Sequence, residues 1–161
     1  MSIRWGKPDR TEVVEVTALT ANQRLAKGDI EDSVMGVLRM REGQLVSFHD
    51  SFTVPFASPD VEVHGTAGSL YGRNVLRPEP VGDVQLRRGS EIEEVTIGER
   101  NPLYAEVVRR FNSAVRGQGE PLATGRDGIA SLAVALAALE SAALSRTIAL
   151  DSSRGLVADT G

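Results

Sequence analysis

Val61-Glu62-Val63-His64-Gly65-Thr66-Ala67-Gly68-Ser69-Leu70 is the stretch from which the fold is read. Val61, Glu62 and Val63 alternate apolar, polar, apolar, the period of a half-buried strand. Gly65 and Gly68 then bracket Thr66-Ala67, and glycines so placed supply the positive φ that a tight hairpin demands. Ser69-Leu70-Tyr71 reads as the return strand. The flanking segments are expected to pair around this hairpin, with two later helices covering one face.

Upstream, Glu12 to Ala21 is β-branched on both parities, a strand expected to be covered on both faces. Ser33 to Met40 and Leu45 to Phe56 form a hairpin about Glu42-Gly43, closed by Pro55 and Pro59. Its alternation puts Phe48, Asp50 and Phe52 on one face and His49, Ser51 and Thr53 on the other. Downstream, a short strand is expected near Val75-Leu76, then Val84 to Arg87 and Ile92 to Ile97 joined by Gly89-Ser90. No helix separates these segments, so the sheet should be mainly antiparallel.

The pattern changes at Asn101-Pro102, where an Asn cap and a first-turn proline open a helix. Leu103, Val107, Val108, Phe111 and Val115 form its apolar stripe. Arg109, Arg110 and Arg116 are expected to serve the C-terminal end of the helix dipole, and Gly117 ends it. Thr124-x-x-Asp127 resembles a capping box for a second helix, rich in Ala and Leu, that runs to about Leu144. Thr147 to Leu150 reads as a last strand. The fold class is therefore α+β: an open, mostly antiparallel sheet with helices packed on one face. Residues 1–11 read as an entry segment, 12–150 as the domain and 151–161 as a tail.

Composition narrows the function. A chain of 161 residues fits one domain, and a net charge of −4 argues against broad nucleic-acid binding. Cysteine is absent, which removes disulfides, thiolate catalysis and Cys-ligated metals. Two histidines leave little for a metal site. The second helix is too short and Ala-rich to be read as a membrane span. Met1 to Pro8 has no apolar run of the signal-peptide kind, and a cytoplasmic protein is expected.

Two patterns mimic catalysis. Asp60-x-x-x-His64 would share a face on a helix, but Val61-Glu62-Val63 is a strand, which sets the two roughly 13 Å apart. Lys7-Pro8 lies in a polar entry loop. Gly65, Gly68 and Gly72 do not make G-x-G-x-x-G, and Gly125 to Gly128 opens a helix without the spacing or the preceding strand of a nucleotide fingerprint. No G-x-S-x-G elbow is present.

In the order and spacing of its segments the chain resembles the C-terminal domain of the Gfo/Idh/MocA oxidoreductases, the glucose-fructose oxidoreductase and inositol dehydrogenase group. The matching pieces are Glu31-Asp32-Ser33-Val34, Gly43 to Phe52, and Val61-x-Val63-x-Gly65-Thr66-x-Gly68-Ser69-Leu70. They continue with Tyr104-x-Glu106-x-x-x-x-Phe111, Pro121, Thr124-Gly125-x-Asp127-Gly128 and Ser145-x-Thr147-Ile148. The resemblance implies a sheet domain that, in the family, follows a Rossmann domain binding NAD or NADP. It also implies hydride transfer to or from a sugar, polyol or related hydroxyl compound, and subunit contacts through the free sheet face. The family's dinucleotide fingerprint, Glu-Lys-Pro segment and Asp-x-x-x-His helix all precede the matched region. The chain is therefore read as the C-terminal domain alone, inactive by itself, with no catalytic, cofactor-binding or metal residues of its own. Arg24, His49 and Tyr104 are the candidates for hydrogen bonds to a hydroxylated substrate; each also has a plainer reading, as a solvated loop arginine, a satisfied sheet histidine and a core-capping tyrosine. A homodimer through the free sheet face is expected. A stand-alone dimerisation or binding module is the alternative.

Overall fold

The computed structural model describes residues 12–23, 28 and 30–150. The entry segment 1–11 with Lys7-Pro8, the loop residue Arg24 and the tail 151–161 lie outside the described residues. Among those described there are eight strands and two helices: β1 (Val13–Ala21), β2 (Ser33–Met40), β3 (Leu45–Ser51), β4 (Val61–Gly65), β5 (Gly68–Arg73), β6 (Asp83–Arg88), β7 (Glu91–Glu94), α1 (Leu103–Val115), α2 (Gly125–Leu144) and β8 (Ile148–Ala149). All strand pairs are antiparallel. The α+β reading holds. The strands, however, divide between two four-stranded sheets, β3-β2-β1-β8 and β4-β5-β6-β7. The Gly65–Gly68 hairpin thus organises the second sheet and not all eight strands. The division falls where the prolines stand. β3 stops at Ser51, the Thr53 amide turns back onto the Ser51 hydroxyl at 3.2 Å, and Pro55 and Pro59 follow.

The described residues up to 55 and from 123 onward make one compact unit. Its core is Val16, Ala18, Ala137, Ala138 and Ile148, ringed by Val13, Val34, Leu38, Phe48, Val134 and Leu150. Alanines at 18, 137 and 138 let α2 approach β1 closely. A register shift between Val13 and Glu15 explains the valines on both parities: the bulge returns Val13 to the core side that Val16 occupies. The expected second cover for β1 is not supplied within the unit. On the far face Leu19 is 71% exposed, beside Met35, Val37 and Leu45 at 59%, 43% and 64%.

α2 opens with the anticipated capping box. The Asp127 carboxylate accepts from the Thr124 amide at 2.7 Å, and the Thr124 hydroxyl accepts from the Asp127 amide at 3.3 Å. By length and composition α2 could cross a bilayer, yet Ala137, Ala138 and Ser141 are buried against the sheet.

Residues 56–122 make the second unit. β4 and β5 join at Gly65 opposite Gly68. Gly68 takes the positive φ, 148°, while Thr66 and Ala67 stay on the ordinary side. Val75-Leu76 forms no strand; the Leu76 amide donates to the Pro59 carbonyl instead. At the start of α1, Pro102 occupies the cap position and no side chain caps the helix, which displaces Asn101 from that role. Arg109 and Arg110 also depart from expectation. They reach back to Glu106 at 2.6–2.8 Å, the i, i+3 and i, i+4 spacing, and leave no basic residue in the last turn. Gly117 does close α1. With φ at 73° its amide donates to Ala114 and that of Gln118 to Ser113, the paired bonds of a Schellman motif. No residue of α1 is buried, so its apolar stripe lies open within this unit.

Candidate functional site

In the first unit a cavity of about 510 Å³ opens between α2 and the β2–β3 hairpin. Strand alternation puts Val34 and Leu38 from β2 and Phe48 from β3 on the face that α2 covers, and α2 supplies Val134 and Leu139. The Phe48 ring lies over Gly36, its cross-strand partner, where no side chain intervenes. At the rim, Asp32 is 1% exposed. One of its carboxylate oxygens accepts from the Gln23 amide at 2.9 Å, and its backbone carbonyl accepts from the Ser51 hydroxyl at 2.9 Å. The Ser131 hydroxyl donates to the Asp127 carbonyl at 2.9 Å. These rim hydroxyls are committed to backbone, and the lining holds no paired nucleophile and base. The cavity is lined mainly by apolar side chains, with the carboxylates of Glu31, Asp32 and Asp50 also in its lining. Among the described residues no group of three His, Cys, Asp or Glu side chains could hold a metal ion.

The three candidate residues do not converge within one unit. Arg24 is outside the described residues. His49 stands on β3 opposite Met35, on the sheet face away from α2, with Nε2 3.4 Å from the Ser33 hydroxyl. It therefore does not line the cavity, although its neighbours Phe48 and Asp50 do. Tyr104 belongs to the second unit, in the first turn of α1, and is 68% exposed. The cavity itself was half legible: Phe48, Asp50 and Phe52 share a face by simple alternation. That α2 roofs this face was not, because helix placement depends on pairing between distant segments.

Asp60 and His64 take separate partners, as a strand between them requires. The Ser58 hydroxyl, then Arg73 at 2.7 Å and the Asn74 amide, hold the Asp60 carboxyl down to about 2. His64 instead meets Ser69, with Nδ1 3.0 Å from the hydroxyl, and Glu62, with Nε2 3.5 Å from the carboxylate. Glu106 is likewise held down to about 2 by hydrogen bonds from Arg109 and Arg110, and the capping bonds from Thr124 lower Asp127. Each of these three carboxylates is tied into a local structural network, so the shifts mark turns and helix ends and not an acid–base centre.

Comparison with known proteins gives this geometry its context. The family described as "Oxidoreductase family, C-terminal alpha/beta domain", Gfo/Idh/MocA in type, matches residues 6–150. The chain is 43% identical over 129 residues to 1,5-anhydro-D-fructose reductase of Ensifer adhaerens, covering 80% of this chain and 38% of that protein. In fold it is similar to the aldose-aldose oxidoreductase of Caulobacter crescentus complexed with glycerol. That likeness has a TM-score of 0.78 at 19% identity and covers 87% of this chain and 42% of the other. A levoglucosan dehydrogenase in complex with NADH and L-sorbose is also similar, with a TM-score of 0.68 at 22% identity, over 87% of this chain and 45% of the other. The chain thus spans about two fifths of the length of these relatives. Over its own length, from residue 6 to residue 150, it belongs to the Gfo/Idh/MocA oxidoreductase family and corresponds to that family's C-terminal α/β domain.

Proposed function

We propose that this chain is the substrate-binding and subunit-contact half of a nicotinamide-dependent oxidoreductase acting on a sugar, a polyol or a related hydroxyl compound. The observation that carries this reading is the 43% identity to a 1,5-anhydro-D-fructose reductase. In such a reduction a nicotinamide supplies hydride to a carbonyl carbon, and the carbonyl oxygen gains a proton.

The described residues do not fit a dinucleotide. Gly125 and Gly128 open α2, but no strand of this chain runs directly into that turn. The helix end is also closed by the Asp127 carboxylate, whose charge opposes a pyrophosphate. The cofactor, NAD or NADP, is assigned to a part of the enzyme beyond this sheet domain. What this chain contributes is recognition: Tyr104, His49 and Arg24 offer a hydroxyl, an imidazole and a guanidinium to a polyol. It also contributes a second copy's seat. The row Leu19, Met35, Val37 and Leu45 makes an exposed apolar face on the first sheet, and we assign it to a homodimer contact.

The test is direct. Mixed with NADH or NADPH and 1,5-anhydro-D-fructose, the 161-residue chain is expected to oxidise no nicotinamide; steady turnover would overturn the assignment of the cofactor elsewhere. In the native gene product, Tyr104→Phe is expected to lower kcat/KM by about tenfold, the scale of one lost hydrogen bond to substrate. An unchanged kcat/KM removes Tyr104 from the site.

A further inference from the structure

At one end of the second sheet two neighbouring turns, Thr66-Ala67 and Gly89-Ser90, border an open polar concavity of about 440 Å³. Register determines which side chains meet there. Ser69 on β5 lies opposite His64 on β4 and opposite Arg87 on β6, so the three stand in one row on one face. Tyr71 follows in the next row, its ring set by the His64 edge at 5.8 Å and the Arg73 guanidinium at 5.9 Å.

The lining brings together the hydroxyls of Thr66, Ser69 and Tyr71 with Arg87 and Arg88, and contains no carboxylate, in a chain whose net charge is −4. The arginines nearby differ in how they are used. Arg73 is spent on Asp60 and Glu62, and Arg88 faces Glu93 at 3.8 Å. Arg87 has no ion pair among the described residues. Its Nε donates to the Gly89 carbonyl at 3.1 Å, which orients the guanidinium and leaves both terminal nitrogens as a fork. The Gly68 backbone closes the base: with φ at 148°, a Cβ there would lie 2.8 Å from the Arg87 carbonyl.

A guanidinium free of ion pairs beside three hydroxyls, with no carboxylate in the lining, is a donor set for an oxyanion; the Ser69 hydroxyl, 3.0 Å from His64 Nδ1, is free to donate outward when that nitrogen carries the proton. We propose that this concavity binds the oxyanion group of a small metabolite, a carboxylate or a phosphate, with Arg87 as the bidentate anchor and Ser69, Tyr71 and Thr66 as the flanking donors. The volume accommodates a group of sugar size bearing that charge. The site stands on the second unit alone and is independent of the sugar reductase reading.

The test is an NMR titration of the whole chain with sodium phosphate and, separately, sodium acetate, with sodium chloride at matched ionic strength and glycerol as controls. The proposal expects saturable shifts confined to residues 65–71 and 87–89. A response to phosphate alone assigns a phosphoryl ligand, and a response to acetate alone assigns a carboxylate. Arg87→Gln should weaken the response by about tenfold or more, through loss of the charged fork. Arg109→Gln, on α1 and outside the lining, should change it by less than about threefold. Ser69→Ala, which leaves the charge in place, should weaken it by an intermediate factor. Shifts no larger than with chloride, shifts spread over all surface arginines, or a response unchanged in Arg87→Gln would each overturn the proposal.

Discussion

The Ser141 hydroxyl accepts from the Ala18 amide at 3.0 Å and donates to the Arg146 carbonyl at 2.7 Å. β8 pairs with β1 only at Glu15 and Val16, so the Ala18 amide lies past the end of that ladder and needs a side chain to satisfy it. Ser141→Ala leaves a buried donor unpaired and is expected to lower unfolding stability by about 1–3 kcal/mol in urea titration. Nothing in the sequence marked Ser141 beyond its being one of few polar residues in an apolar helix; its partner is 123 positions away. Gly36 is a second such position. A Cβ there would lie 2.7 Å from both the Phe48 ring and the Thr17 carbonyl. Gly36→Ala is therefore expected to cost about 1–3 kcal/mol by the same measurement, with the loss traced to overpacking and not to φ. That Phe48 shares a face with Asp50 and Phe52 was legible; the space left for its ring by Gly36 was not, because that depends on the β2–β3 register.

Helix and turn chemistry was read with more success, since it is local. Thr124 and Asp127 form the capping box their spacing predicts, and Thr124→Ala should destabilise α2 by about 1 kcal/mol. Asn101 fails as a cap because Pro102 takes that position itself, with φ −56° and ψ 125°. The arginines of α1 fail as dipole partners because Glu106 is nearer than the helix end. These surface networks also set a pH dependence. Asp60 and Glu106 titrate near 2 in the folded chain, against ordinary values of 3.8 and 4.5. A carboxyl whose folded pKa is lowered contributes its stabilisation in full above the unfolded value and loses it as pH falls through the folded one. The melting temperature is thus expected to fall as pH drops from about 4.5 to about 2. Asp60→Asn should flatten the lower part of that fall; an acid limb identical to that of the unmodified chain would count against the Ser58–Arg73 network as its source.

Across the whole chain, antiparallel pairing and the order of helices after the run of strands followed from periodicity and punctuation, while the strand expected near Val75-Leu76 does not form. The division into two sheets did not follow, because Pro55 and Pro59 were read as the end of one strand and not as the break between two sheets. The proposed function rests on family membership more than on any constellation of side chains, and the exposed apolar face proposed for a homodimer contact is its most physical part. Leu19, Met35, Val37 and Leu45 leave an apolar row on the first sheet that a second copy would cover. Light scattering at micromolar concentration is expected to give a dimer, and Met35→Glu with Val37→Glu a monomer. A monomer from the unsubstituted chain removes the assignment of that face.

We propose that this sheet domain serves a sugar-acting, nicotinamide-dependent oxidoreductase. It is tested most directly by capturing the native gene product with an antibody to this domain and assaying it for NADH- or NADPH-dependent reduction of 1,5-anhydro-D-fructose and a panel of related ketoses. Turnover is expected, lowered by Tyr104→Phe, from a polypeptide that contains this sequence. Intact captured product with no turnover on any sugar or polyol with either nicotinamide would contradict it.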